Sequence, residues 1–378
     1  MTPRSARIWL LAALVAGPLW AQSGTDTEAL LWRGIDAMYS YRYAESKAAL
    51  DSVMTIDPLN AVAPFVAVAN QWLRSLTEEG YAASHQALQE AIKATIPRYE
   101  MMLALEKQRP DALLYLGSTY GLQARIALSQ KRWITVVTAG FRGWRLVQRA
   151  HALDDGLLDA YLPIGIFDYY TGSSGGPVRL VARILGMNPD KQRGIAELQR
   201  AGQEAPHAWI EATSTLAILQ LYIEDEPHQA LLQVDRLVDH YPENYYFRFL
   251  RGDALVRAGR LEDARGYLPQ LSQMLSTAHP NQQLEWQLKL ASLEATLAFE
   301  AGEWEHALER SEWVIGNYSM EFDWHLGFAL FIRGRVREQQ GDLRQALQDY
   351  RRVAGLDNHT YAVADARAAI ARVKARIP

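Results

Sequence analysis

Cysteine is absent from the 378 residues. Its absence excludes disulfides, thiolate metal sites, cysteine nucleophiles and a lipid-bearing cysteine. Beyond residue 21 there is no apolar run approaching the roughly 20 residues a membrane-spanning helix needs. A basic excess is missing too: 39 Lys and Arg stand against 43 Asp and Glu, a net charge of −4. The first 21 residues hold Arg4 and Arg7 but no acid, so the remainder carries −6. Nucleic acid is not expected as a partner, because phosphate binding needs a basic surface. The nine His are scattered, with no His-Glu-x-x-His and no pair at ligand spacing, so neither a metal nor another cofactor is expected. His306 and His325 read as surface or packing residues. Strand signals are scarce, with no alternating β-branched run bounded by turns, and an all-α chain follows.

What is present begins at the start of the chain. Arg4 and Arg7 precede an apolar run from Ile8 to Val15, then Gly17, Pro18 and Ala21. This is the pattern of a secretory signal over residues 1–21 with cleavage near Ala21; an uncleaved anchor is the alternative. Residues 22–378 are therefore expected outside the cytoplasm, periplasmic or secreted in a bacterium.

A fixed interval recurs later in the chain. Gly252, Gly259 and Ala264 are separated by seven and five residues; Ala295, Gly302 and Ala307 repeat that spacing, as do Gly334, Gly341 and Ala346. Gly259-Arg-Leu-Glu-Asp-Ala264, Gly302-Glu-Trp-Glu-His-Ala307 and Gly341-Asp-Leu-Arg-Gln-Ala346 share one order: Gly, polar, large apolar, two polar, Ala. The physical reading is an antiparallel helix pair. A small residue in the first helix admits the second, the Gly ends the first helix, and the Ala sits where the two touch.

This succession of small residue, Gly and Ala resembles the tetratricopeptide repeat family. The resemblance covers nearly all of residues 22–378 but is close only in the last three repeats. Gly34, Tyr43, Ser46 and Pro58 fit one looser repeat, and Ala230 with Pro242 half of another. Gly117 and Gly165 mark further first helices. About a dozen extra residues follow Gly121, and an insertion from about Thr171 to Asp190 precedes Gly194 and Leu198. The stretch from Ala61 to Arg109 reads as two long helices, one ending near Leu76 and one over Tyr81 to Leu105. The chain thus divides into N-terminal helix pairs (22–110), central pairs with long helices and an inserted Gly/Ser loop (111–206), C-terminal repeats (207–360) and a basic, Ala-rich capping helix (361–378). The resemblance implies a right-handed α-solenoid. Trp32, Trp72, Trp144, Trp286 and Trp313 are expected in the core or between repeats.

One pattern hints at chemistry. Gly172-Ser-Ser174-Gly-Gly176 matches the nucleophile elbow of a serine hydrolase, with Asp190 and His207 following in order. That motif works only where a strand leads into the Ser and a helix leaves it, and its helical neighbours favour a flexible loop closed by Pro177. The same loop lacks the Gly-Lys-Ser/Thr of a phosphate cradle. Glu224, Asp225 and Glu226 before Pro227 read as a solvated turn at a helix start.

The resemblance also implies where a ligand would lie: on the concave side, lined by the first helices. Transferred residue by residue, it indicates Leu162, Ile166, Tyr169 and Tyr170 around Gly165, and Phe249, Asp253, Val256 and Arg257 around Gly252. Around Gly334 it indicates Phe331, Arg335, Glu338 and Gln339. Aromatic area with interspersed charge suits an extended or helical peptide. The expectation is a non-catalytic scaffold or adaptor of the cell envelope that binds protein or peptide. The alternative is an envelope assembly or trafficking factor docked on a membrane complex; a serine hydrolase using Ser174 is remote.

Overall fold

The computed structural model describes residues 19–184 and 186–377. Most of the expected leader lies outside the described residues, and residues 19–21 open the first helix. Among the described residues there are eighteen α-helices, one short 3-10 turn and no strand. In chain order they pair as α1 (Leu19–Tyr39) with α2 (Tyr43–Ile56), α3 (Val62–Glu78) with α4 (Tyr81–Leu105), and α5 (Pro110–Ser129) with α6 (Trp133–Leu153). The fourth pair is interrupted: α7 (Tyr161–Ser173) packs on α9 (Lys191–Glu204), and the short α8 (Gly176–Ile184) stands between them in sequence. Then follow α10 (Trp209–Tyr222) with α11 (Pro227–His240), α12 (Tyr245–Arg257) with α13 (Leu261–Leu275), α14 (Pro280–Glu300) with α15 (Trp304–Asn317), and α16 (Trp324–Gln339) with α17 (Leu343–Ala354). α18 (Tyr361–Lys374) covers α17 and the end of α16. The architecture is a tetratricopeptide-like α-solenoid.

The interval in the sequence has the expected physical basis. Gly259, Gly302 and Gly341 adopt φ of 73°, 80° and 82°, left-handed backbone in which a side chain is strained. The next residue closes each turn by donating back to the last helical carbonyls: Arg260 to Leu255, Glu303 to Ala298 and Asp342 to Arg337, at 2.8–2.9 Å. This is the Schellman closure. The same bond joins Arg42 to Ala37 and Arg132 to Ala127, each at 2.8 Å. There, however, the left-handed residues are Tyr41 and Lys131, with φ of 61° and 55°. The turn is common to both ends of the molecule even where its Gly is not.

Ala264, Ala307 and Ala346 are buried at the pair contacts. At Gly334 a Cβ would meet the Tyr350 ring at 2.8 Å, and at Gly143 it would meet the Gly117 carbonyl at 2.6 Å. The extra residues after Gly121 form no loop: α5 and α6 are lengthened to 20 and 21 residues. The expected Gly/Ser loop is corrected, since α7 runs to Ser173 and α8 starts at Gly176. Gly172 lies so close to α9 that a Cβ would meet the Lys191 amide nitrogen at 2.5 Å, and this contact continues α7 through the glycine. Of the five Trp expected in packing positions, Trp286 is buried; Trp32, Trp72, Trp144 and Trp313 are half-buried against neighbouring helices. His325 is buried between Tyr222 and Phe328, and burial pulls its imidazole down to about 3, so it packs as a neutral ring.

Candidate functional site

The solenoid bends until its two arms meet. One apolar cluster unites Leu31, Ile35 and Met38 of α1 with Ile210, Leu237, Tyr241 and Phe247 from α10 to α12. Polar contacts ring it. The Tyr39 hydroxyl donates to Glu211 at 3.0 Å, the Tyr241 hydroxyl to Asp36 at 2.9 Å, and the Asn244 amide to the Tyr39 carbonyl at 2.7 Å. Further along the seam apolar contact gives way to hydrogen bonds and ion pairs. His85 of α4 meets Glu321 at 2.8 Å, Arg125 of α5 reaches the same carboxylate at 3.5 Å, and Asn281 of α14 donates to the Glu78 carbonyl. Arg125 also stacks over Trp72, 4.4 Å from its ring centroid.

Within the second arm the first helices converge. Tyr222 of α10 touches Phe328 of α16, three pairs on, with ring centroids 5.3 Å apart. The crevice they leave is lined by Tyr222, Asp253, Val256, Arg257, Ser292, Thr296, Phe328 and Tyr361, and holds about 10 Å³ of water-sized space. That is room for a single water molecule. Burial pushes the Asp253 carboxyl up to about 7, against the opposing hydrogen bond from Tyr222 and the charges of Lys289 and Arg257. The Arg257 guanidinium lies 3.6 Å from the Tyr361 ring centroid and pairs with Asp225.

Asp253, Val256 and Arg257 thus line one crevice, while Phe249 lies in the core stacked on Trp286 at 5.2 Å. Most of the other indicated residues are engaged within the fold. Leu162 and Ile166 are half-buried beside Leu198 and Leu216. Tyr169 is buried and donates to Glu224; burial and that carboxylate raise its phenol pKa. Tyr170 remains 47% exposed. Phe331 packs on Tyr350 with centroids 5.8 Å apart, and Arg335 lies 4.0 Å over Phe299 while pairing with Glu300 at 2.8 Å. Glu338 accepts from Arg372 and Arg376 of the chain end and from Tyr350, and the Arg372 hydrogen bond foremost holds its carboxyl below the usual range. Gln339 is exposed at the end of α16.

The nucleophile elbow is not built. The Ser174 hydroxyl donates to the Tyr170 carbonyl at 2.7 Å at the end of a helix, where the motif needs a strand. Asp190 caps α9 by accepting from the Arg193 amide at 2.8 Å. Both ring nitrogens of His207 are engaged, one with Asp159 at 3.1 Å and one with Glu28 at 3.0 Å. Among the described residues no group of three or more His, Asp or Glu could hold a metal ion, and no helix is long and apolar enough to cross a membrane.

Sequence reasoning did not find the seam. Its partners lie 172 to 236 residues apart, and no local spacing connects them. No known family profile and no curated protein matches the sequence. Solved structures of similar topology include a tetratricopeptide repeat protein from Parabacteroides merdae, 10% identical, covering 93% of this chain and 100% of that one with a TM-score of 0.31. A Rap protein complexed with competence and sporulation factor is 10% identical over 93% of this chain and 98% of its own, with a TM-score of 0.46. Yeast Tom70 is 11% identical over 94% and 83%, with a TM-score of 0.37. The likeness is one of fold, and the superpositions are loose.

Proposed function

We propose that this protein is a non-catalytic scaffold, exported to the cell envelope, which binds protein or peptide on the concave face by parting its two arms. The polar half of the seam carries this reading. Contacts such as His85 with Glu321 and Asn281 with the Glu78 carbonyl are hydrogen bonds. Each contributes on the order of 1 kcal/mol net and can be exchanged for equivalent groups on a partner. The apolar cluster around Ile35 and Phe247 serves as the hinge side, because separating it would expose apolar surface with nothing in return. The export signal formed by Arg4, Arg7 and the following apolar run supports the location.

The absence of native cysteine makes the test clean. Cysteines at positions 85 and 321 (His85→Cys with Glu321→Cys), bridged by a short thiol-reactive linker that reductant cleaves, place a single reversible clamp across the polar seam, because His85 and Glu321 meet only at their side-chain ends and a direct disulfide needs closer backbones. Crosslinking in the native cell, followed by mass spectrometry, should recover a protein partner with the linker cleaved and lose it with the linker in place. Equal capture by the clamped and open forms removes the concave-face reading, and recovery of no protein partner by either form removes the scaffold reading. Fractionation of the cell tests the location separately.

A further inference from the structure

Between Asp111 and Asp154 the sequence has no acidic residue, and between Asp168 and Asp190 there is again none. The first interval holds six Lys and Arg and the second two, in a chain whose net charge is −4. Both intervals expose large apolar side chains. At the start of α6, Trp133 and Val137 are more than half exposed and Ile134 is 83% exposed; on α8, Leu180 is more than half exposed and Ile184 is 75% exposed. Basic residues flank or alternate with them: Lys131 and Arg132 before Trp133, and Arg179 and Arg183 beside Leu180 and Ile184. No side chain among the described residues pairs with Arg132, Arg179 or Arg183, whereas Lys131 faces exposed Asp357 at 3.8 Å.

The two segments share one edge of the solenoid. α6 begins at the turn within the third helix pair and α8 occupies the turn within the fourth; turns within successive antiparallel pairs lie on the same side. α7 packs against both α6 and α8. Among the described side chains, Ala182 of α8 and Met187 just beyond it are buried. The edge is therefore a protruding rim of Trp, Ile, Leu and Val set among unpaired Arg. That composition suits the headgroup boundary of a bilayer, where apolar side chains enter the acyl region and guanidinium groups meet lipid phosphates.

We propose that this edge, formed by the start of α6 together with α8, docks the protein on a membrane surface rich in anionic lipid. The occupant is the bilayer itself; an acidic protein would call for paired, buried contacts, whereas these arginines and apolar tips project singly into solvent. The surface is independent of the concave face, and neither needs the other to hold.

The test is flotation of the full chain with vesicles of phosphatidylcholine containing phosphatidylglycerol, against vesicles of phosphatidylcholine alone. Binding should favour the anionic vesicles by at least about tenfold and weaken as salt is raised. Arg179→Gln combined with Arg183→Gln should lower it roughly thirtyfold, at about fivefold per arginine. Trp133→Ser combined with Ile134→Ser should lower it at least about tenfold through lost apolar burial. Leu105→Ser, exposed at the end of α4 where the chain turns between pairs on the opposite side, should leave it unchanged. All four side chains in the two double variants are exposed, so thermal melting should be unaltered and fold loss is separable from binding loss. Equal binding to both vesicle types, wild-type binding by both double variants, or capture of an acidic protein with no vesicle binding would each overturn the proposal.

Discussion

The turn from α5 to α6 and the turn from α16 to α17 have the same shape and different chemistry. In the second, Gly341 occupies the left-handed position; in the first, Lys131 does. Backbone geometry is imposed in both by the same return hydrogen bond, from Arg132 to Ala127 and from Asp342 to Arg337. The helix pairs behind these turns also differ. α5 and α6 touch backbone to backbone at Gly117 and Gly143, whereas α16 accommodates the Tyr350 ring over Gly334. The buried carboxylates differ again. Asp349 is held by Arg333 at 2.6 and 3.0 Å and Arg337 at 2.9 Å, guanidinium groups that stay charged. Asp159, near the join between the arms, is held by the Tyr115 hydroxyl, the amides of His207 and Ala208, and the titratable ring of His207. Repeated backbone geometry tolerates varied side chains; the side chains decide how tightly each pair is bound and what loosens it.

Breaking the closest approach should have the largest effect. Gly143→Val must push α6 off the Gly117 carbonyl and is expected to cost more than about 3 kcal/mol in urea unfolding, since overpacking has no room to relax there. Gly266→Ala, in α13 where nothing lies within 4 Å of the added carbon, should instead stabilise by roughly 0.5–1 kcal/mol. If the two substitutions behave alike, helix approach does not set the stability of the pairs.

Next in size is Asp349→Ala, which leaves two partly buried guanidinium groups without their carboxylate and should cost about 3 kcal/mol in the same measurement. A loss below about 1 kcal/mol would show the cluster to be solvated.

The pH response should separate the two carboxylates. Burial alone would pull the His207 imidazole down, but the hydrogen bond and charge of Asp159, aided by Glu28, outweigh it and hold the pKa above its ordinary value. Its contribution is therefore complete below about pH 6.5 and fades as pH rises through the raised value. Burial would likewise raise Asp159, yet His207 and the two amides hold it low, so its contribution fades only as pH falls below the ordinary carboxylate range. Hydrogen exchange of α1, corrected for intrinsic rates, should show weaker protection at pH 8.5 than at pH 6, with α17 unaltered. Uniform change in both helices would contradict a local link through His207.

The smallest effect sharpens the turn comparison. Lys131→Gly relieves a left-handed side-chain residue and should gain no more than about 1 kcal/mol, while Gly341→Lys should lose a similar amount. A destabilising Lys131→Gly would mean that the Lys131 side chain matters more than the turn.

The last three repeats were legible because Gly259, Gly302 and Gly341 relieve real strain at fixed intervals. The first and third pairs were harder to read, since Tyr41 and Lys131 fill the same position and erase the signal. Of the candidate residues, Asp253, Val256 and Arg257 line one crevice, whereas the engagement of Glu338 by Arg372 and Arg376 could not be read from α16 alone.

Local order was written in the sequence by itself: helix periodicity, the interval of small residues, the exclusion of disulfides, and the lack of a long apolar run beyond residue 21. These follow from forces acting within about one repeat, where each Gly or Ala meets a partner fixed by chain distance. Only the tertiary structure decided that the arms close on each other, that Tyr39 meets Glu211 and Arg125 reaches Glu321 across the seam, and that the apolar residues of α6 and α8 face outward on one edge. Those outcomes depend on small rotations between successive pairs, which accumulate along the solenoid and leave no mark on any single stretch of residues.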